Sequence, residues 1–110
     1  MKETDITFSI SLDENHIPEK INWKASDTDE AGQCEAAFLT IWDTKEKNTL
    51  KIDLWTKDMQ VDDMKIFFHQ MMLSMGDTYA RATSDEKIAE EIKQFGFELG
   101  EKMGLIKKNQ

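Results

Sequence analysis

The chain has 110 residues, 39% hydrophobic and 33% charged, and its 22 acidic against 14 basic side chains leave a formal charge of −8. That is room for one domain rather than two separate cores, with a globular rather than a disordered composition. The acidic balance argues against nucleic acid and anionic membrane surfaces as partners, and no apolar run approaches the ~20 residues of a membrane span, so no direct membrane insertion is expected.

The chain opens MKETDITFSIS, without the basic start and apolar stretch of a signal peptide. Its one cysteine, Cys34, cannot form an internal disulfide. A cytoplasmic location is the expectation. Ile6, Phe8, Ile10 and Leu12 alternate with Thr7, Ser9 and Ser11, a period of two that predicts a first strand. Asp13-Glu14-Asn15-His16 reads as a turn, and Pro18, the only proline, limits the elements beside it. Ile21 and Trp23 alternate with Asn22 and Lys24 in a short second strand. Residues 26–33, SDTDEAGQ, carry turn formers and no large apolar side chain, and are predicted as a loop.

From Glu35 to Asp43 both parities are apolar, with β-branched and aromatic residues that predict a third strand. After the charged turn Thr44-Lys45-Glu46-Lys47, Leu50, Ile52 and Leu54 alternate with Lys51 and Asp53 in a fourth. If Asp43 and Asn48 close that turn, Ile41 opposes Leu50, Leu39 opposes Ile52 and Ala37 opposes Leu54, which gathers apolar side chains on one face. The other face then carries Trp42 beside Thr49, Thr40 beside Lys51, Phe38 beside Asp53, and Ala36 near Trp55.

After Met59 the period changes. Val61, Met64, Phe68, Met71, Met75 and Tyr79 recur every three or four residues and predict an amphipathic helix over 61–82, with Asp62 and Asp63 where the helix dipole favours negative charge. Thr83-Ser84-Asp85-Glu86 matches a capping box and predicts the start of a second helix over 84–106. Its stripe is Ile88, Ile92, Phe95, Leu99, Met103 and Ile106, with Lys107 and Lys108 at its C-terminus. Gly96, Gly100 and Gly104 recur every four residues, and each costs ~1 kcal/mol relative to alanine in a helix. Two readings stand side by side: close approach to another backbone, or tolerance. The order ββββαα predicts one α+β domain over residues 1–110, a four-stranded antiparallel sheet with both helices on one face.

Chemistry is sparse. Neither His16 nor His69 has a second histidine at i+4, and Cys34 has no CxxC partner, so no metal site is expected. His69 reads as a partly exposed helical residue. Asp27-Thr28-Asp29-Glu30-Ala31-Gly32 begins like a calcium loop, but Phe38 stands where a bidentate glutamate belongs. Glu30 and Glu35 near Cys34 oppose a reactive thiolate, and no nucleophile elbow or phosphate-binding glycine loop is present. No catalytic residue and no cofactor are expected. Met59, Met64, Met71, Met72 and Met75 either fill core gaps or form an adaptable surface, with Met72 the one expected to face outward.

The informative feature is the second sheet face, where Phe38, Trp42 and Trp55 collect and which Trp23 joins if the strand order allows. An exposed aromatic cluster marks an interaction site; a covering loop or N-terminal strand is the other possibility. The run Asp53-Leu54-Trp55-Thr56-Lys57-Asp58-Met59 with Val61-Asp62-Asp63-Met64-Lys65 resembles the gliding-motility-associated GldC family. Ser11-Leu12-Asp13-Glu14-Asn15, Ile17-Pro18-Glu19-Lys20-Ile21, and Trp42-Asp43 before Lys47-Asn48-Thr49 are similar to it as well. Gln60 departs from the family, which places proline at this helix start. The resemblance implies a small soluble cytoplasmic accessory of the gliding apparatus, which is coupled to type IX protein secretion, and supplies no catalytic residue.

Two functions follow as expectations. One is a non-enzymatic protein that binds a component of the gliding or secretion machinery, or itself as a homo-oligomer, through Trp23, Phe38, Trp42 and Trp55. Likeness of the ββββαα order to SecB-type export chaperones adds a chaperone-like variant. The other is a small-ligand binder or enzyme with a pocket between sheet and helices near Trp55, His69 and Tyr79.

Overall fold

A computed structural model of the chain describes residues 2–107. The elements are β1 (Ile6–Leu12), β2 (Pro18–Ala25), β3 (Glu30–Cys34), β4 (Ala36–Asp43), β5 (Asn48–Trp55), α1 (Val61–Thr83) and α2 (Glu86–Lys102). They fall into two compact units, Met1–Met59 and Gln60–Gln110.

The first unit holds two antiparallel sheets, β1-β2-β3 and β4-β5. This corrects the single four-stranded sheet expected from the sequence. The missing strand is β3, EAGQC, which lies partly in the stretch expected to be a loop. It has no large apolar residue to announce it, and it needs none. Gly32 pairs with Trp23, and a Cβ at Gly32 would stand 2.9 Å from the indole nitrogen. The indole fills the space that a side chain on β3 would occupy. β2 is also longer than expected and begins at Pro18, where a strand tolerates a residue that cannot donate.

The β4–β5 ribbon has the expected register throughout: Ile41 opposes Leu50, Leu39 opposes Ile52, Ala37 opposes Leu54, and Asp43 meets Asn48. Its turn is held by the Asp43 carboxylate, which accepts from the Glu46 N–H at 2.7 Å, and by Lys47 with φ 53.

Beyond β5 the chain ties the two sheets together. The Thr56 N–H donates to the Glu35 carbonyl at 2.8 Å, and the Lys57 N–H donates to the Pro18 carbonyl at 3.0 Å. The Lys57 ammonium reaches Asp13 Oδ2 at 3.1 Å and Glu19 Oε1 at 3.2 Å. Asp13 Oδ1 meanwhile accepts from the Asn15 and Ile17 N–H groups and so shapes the β1–β2 turn.

In the second unit α1 and α2 form an antiparallel hairpin. Thr83-Ser84-Asp85-Glu86 does not act as the expected capping box. The Thr83 hydroxyl donates to the Tyr79 carbonyl within α1, Ser84 ends that helix with φ 61, and Asp85 caps α2 by accepting from the Ile88 N–H. The hairpin seam is lined by small residues. A Cβ on Gly76 would stand 2.6 Å from Lys93 Cγ, one on Gly96 2.9 Å from Leu73 Cδ2, and one on Gly100 2.6 Å from His69 Nε2. Gly96 and Gly100 thus make room for the Leu73 and His69 side chains of the other helix, which is neither bare tolerance nor contact with another backbone.

Gly104 differs. α2 stops at Lys102, and Gly104 has φ 79 with nothing near its Cβ position. The Leu105 N–H returns to the Gly100 carbonyl and the Gly104 N–H to Glu101, a Schellman closure that requires the left-handed glycine. Lys107 lies past the helix, and Lys108, expected to close it, lies outside the described residues.

Of the two stripes expected to be covered, Met64, Met71, Tyr79, Ile92, Leu99, Met103 and Ile106 are half-buried and the rest are open. Val61, Phe68, Met75, Ile88 and Phe95 are all exposed, whereas Met72, expected outward, is half-buried beside Gly96. A period near 3.6 marks a helix face, but the residues permitting closest approach decided which face became the seam.

Candidate interaction surface

Pleat and register place the sequence-predicted residues. On one face of the ribbon Ala36 opposes Trp55, Phe38 opposes Asp53, Thr40 opposes Lys51 and Trp42 opposes Thr49. Phe38 and Trp55 are diagonal neighbours, within reach of one another as large rings. Trp42 lies six residues along β4 from Ala36, ~20 Å from the Trp55 row. Trp42 is 64% exposed and Trp55 51%, while Phe38 is half-buried. Between the ends the face is charged: the Lys51 ammonium lies 5.9 Å from the Phe38 ring centre and 3.4 Å from Asp53. The surface is thus two aromatic points separated by a polar waist.

Trp23 takes no part in this ribbon. It sits in the middle strand of the other sheet, between Phe8 on β1 and Gly32 on β3. The opposite face of the ribbon is apolar, with Ile41, Leu50 and Ile52 each about half exposed.

Of the residues named for a ligand pocket, Trp55 lies in the first unit and His69 and Tyr79 in the second. His69 and Tyr79 are ten residues apart on α1, ~15 Å along its axis. The Tyr79 hydroxyl donates to Asp85 Oδ2 at 3.3 Å, while His69 turns its buried Nε2 toward Gly100 with no hydrogen-bond partner among the described residues. A groove of about 360 Å³ is lined by Met75, Thr78, Tyr79, Ala82 and Ile92. Among the described residues no helix is long and apolar enough to cross a membrane.

Sequence reasoning missed Thr56, Lys57 and Asp13 as a unit. Thr56 is 4% exposed. The Asp13 carboxyl is held below its ordinary value of 3.8, first by the Ile17 N–H and then by the Lys57 ammonium; Lys57 is raised above 10.5 by Asp13 and then by Glu19. No periodicity signals a contact across 44 positions, so only the fold could reveal it.

A family model described as gliding motility-associated protein GldC-like matches residues 18–105. No curated protein and no solved structure shows significant similarity to the chain. The run Asp53–Met59, which carries the resemblance most strongly, contains both the exposed Trp55 and the Thr56–Lys57 junction that fixes where Trp55 stands.

Proposed function

The chain belongs to the GldC-like family, and we propose that it serves gliding motility as a non-enzymatic, cytoplasmic interaction protein that docks on a protein of the gliding or secretion machinery. Trp55 carries this reading. It ends β5 half exposed while the residue after it is buried and the next is tied to the first sheet and its turn by three bonds. A large aromatic held on a rigid support and left in water is the form of an interface anchor. Phe38 lies diagonal to it, and Trp42 offers a second point on the same face. Apolar side chains exposed on the opposite face suit a chaperone-like role, in which extended client segments lie along the ribbon.

The test is photo-cross-linking from position 55 in gliding cells, together with Trp55→Ala and Trp42→Ala. The expected outcome is capture of a motility or secretion component from position 55, with Trp55→Ala abolishing co-purification and impairing motility at unchanged circular dichroism. Unimpaired motility and co-purification in the Trp42→Ala, Trp55→Ala double variant sink the reading.

A further inference from the structure

The first strand presents a different surface. Among the described residues β1 pairs with β2 along one side and with no strand along the other. Open edges in folded proteins are blunted by charge, proline or twist, because a bare row of N–H and C=O groups recruits another chain. β1 reads ITFSISL, seven residues with neither a charge nor a proline. Its one irregularity, a register shift at Ser11–Leu12, comes at its far end and leaves the strand regular from Ile6 to Ser11. The other strands are less inviting. β3 carries Glu30 and Gly32, β5 carries Lys51 and Asp53, and β4 has large apolar groups on both faces.

We propose that the β1 edge pairs antiparallel with the β1 edge of a second copy of this chain, about a two-fold axis at Phe8. The sequence of the strand is what selects a second copy. An antiparallel two-fold centred on a residue keeps each parity on its own face. Apolar residues then meet apolar ones and hydroxyls meet hydroxyls: Phe8 faces Phe8 of the second copy, Ile6 faces its Ile10, and Thr7 faces its Ser9.

Charge chooses among the possible centres. Centring on Ser9 sets Asp5 opposite Asp13 in both halves, two like-charged pairs that disfavour it. Centring on Ile10 runs the pairing into the Asp13–His16 turn. Centring on Phe8 sets Asp5 opposite Ser11 and leaves the irregular Leu12 outside, so that its own like-charged pair, Glu3 opposite Asp13, falls two positions beyond the regular pairing. The rows Phe8–Trp23–Gly32 of the two copies then become continuous. The contact is isologous and closes on itself, so it consumes the exposed edge without building a filament.

This surface is separate from the Trp55 face, and either proposal can fail without the other. Sedimentation of the full chain at micromolar to millimolar concentration is the first measurement, and a reversible dimer is expected. Thr7→Glu with Ser9→Glu places like charges opposite each other twice across the axis, while the new carboxylate at position 7 meets Lys24 within its own sheet. Dimerisation is expected to weaken roughly tenfold or more. Thr7→Glu with Ser9→Lys sets opposite charges in the same positions and restores it. Phe8→Cys in a Cys34→Ser background is expected to oxidise to a disulfide-linked dimer, which places the axis. Circular dichroism and thermal melts check that each variant folds. A chain that stays monomeric, or a doubly acidic variant that dimerises as well as the wild type, overturns the proposal.

Discussion

Lys57 shows how much a single side chain can tie together. Its ammonium bridges Asp13 and Glu19 while its own N–H holds Pro18, so one residue after β5 pins the start of β2 and the turn before it. The pH behaviour follows from the two shifts. A carboxyl held below its ordinary pKa stabilises the fold above that value and loses the contribution as pH falls through its folded pKa. An ammonium raised above 10.5 stabilises below that value and loses the contribution as pH rises through the folded one. The pair therefore acts in full between roughly pH 5 and pH 10. Lys57→Met should lower the melting temperature across that window, with the gap from wild type narrowing as the solution is taken below about pH 4 and again above about pH 11. A gap that is constant with pH would show that only packing was lost. None of this was legible beforehand, because Asp13 and Lys57 each look like an ordinary turn residue until the chain folds.

At the scale of elements the hairpin of α1 and α2 separates what periodicity can and cannot say. Both helices announce themselves, and the α1 bounds agree to within a residue. The glycines at 76, 96 and 100 mark the seam, since a Cβ at each would crowd Lys93, Leu73 or His69 across it. Gly100→Ala is expected to destabilise by about 1–2 kcal/mol, because the ~1 kcal/mol gain in helix propensity is outweighed by crowding against both His69 and Ile106. Gly104→Ala is expected to cost about 1 kcal/mol for a different reason, a left-handed backbone in open space. Thermal or urea unfolding measures both. If Gly100→Ala were stabilising, the seam would be looser than the distances indicate. The sheets repeat the lesson. The strand β4 and its register with β5 followed from parity alone, whereas β3 stayed hidden because its partner, Trp23, supplies the bulk that β3 lacks.

For the molecule as a whole, charge sets the terms of association. Two copies carrying −8 each repel, and the repulsion is long-ranged at low salt. Pairing of uncharged β1 edges must overcome it, so the dimer should tighten as sodium chloride is raised from about 20 mM to about 500 mM, the Debye length shrinking from roughly 20 Å to roughly 4 Å. Sedimentation at the two concentrations checks this. Weakening with salt would mean that ion pairs hold the copies together, which an uncharged strand cannot supply.

The sequence by itself determined the α+β class, the two helices, the pairing of β4 with β5 and the kinship with the GldC-like family, because each is encoded in local periodicity or in a contiguous motif. Tertiary structure alone decided that five strands form two sheets, that Trp23 belongs with Phe8 and Gly32 rather than with Trp42, and which helix faces meet. Those outcomes turn on which distant surfaces fit, and fit depends on absences as much as on residues: a missing side chain at Gly32 leaves no periodic mark in the chain, and the four-residue recurrence through Gly100 does not say what packs against it.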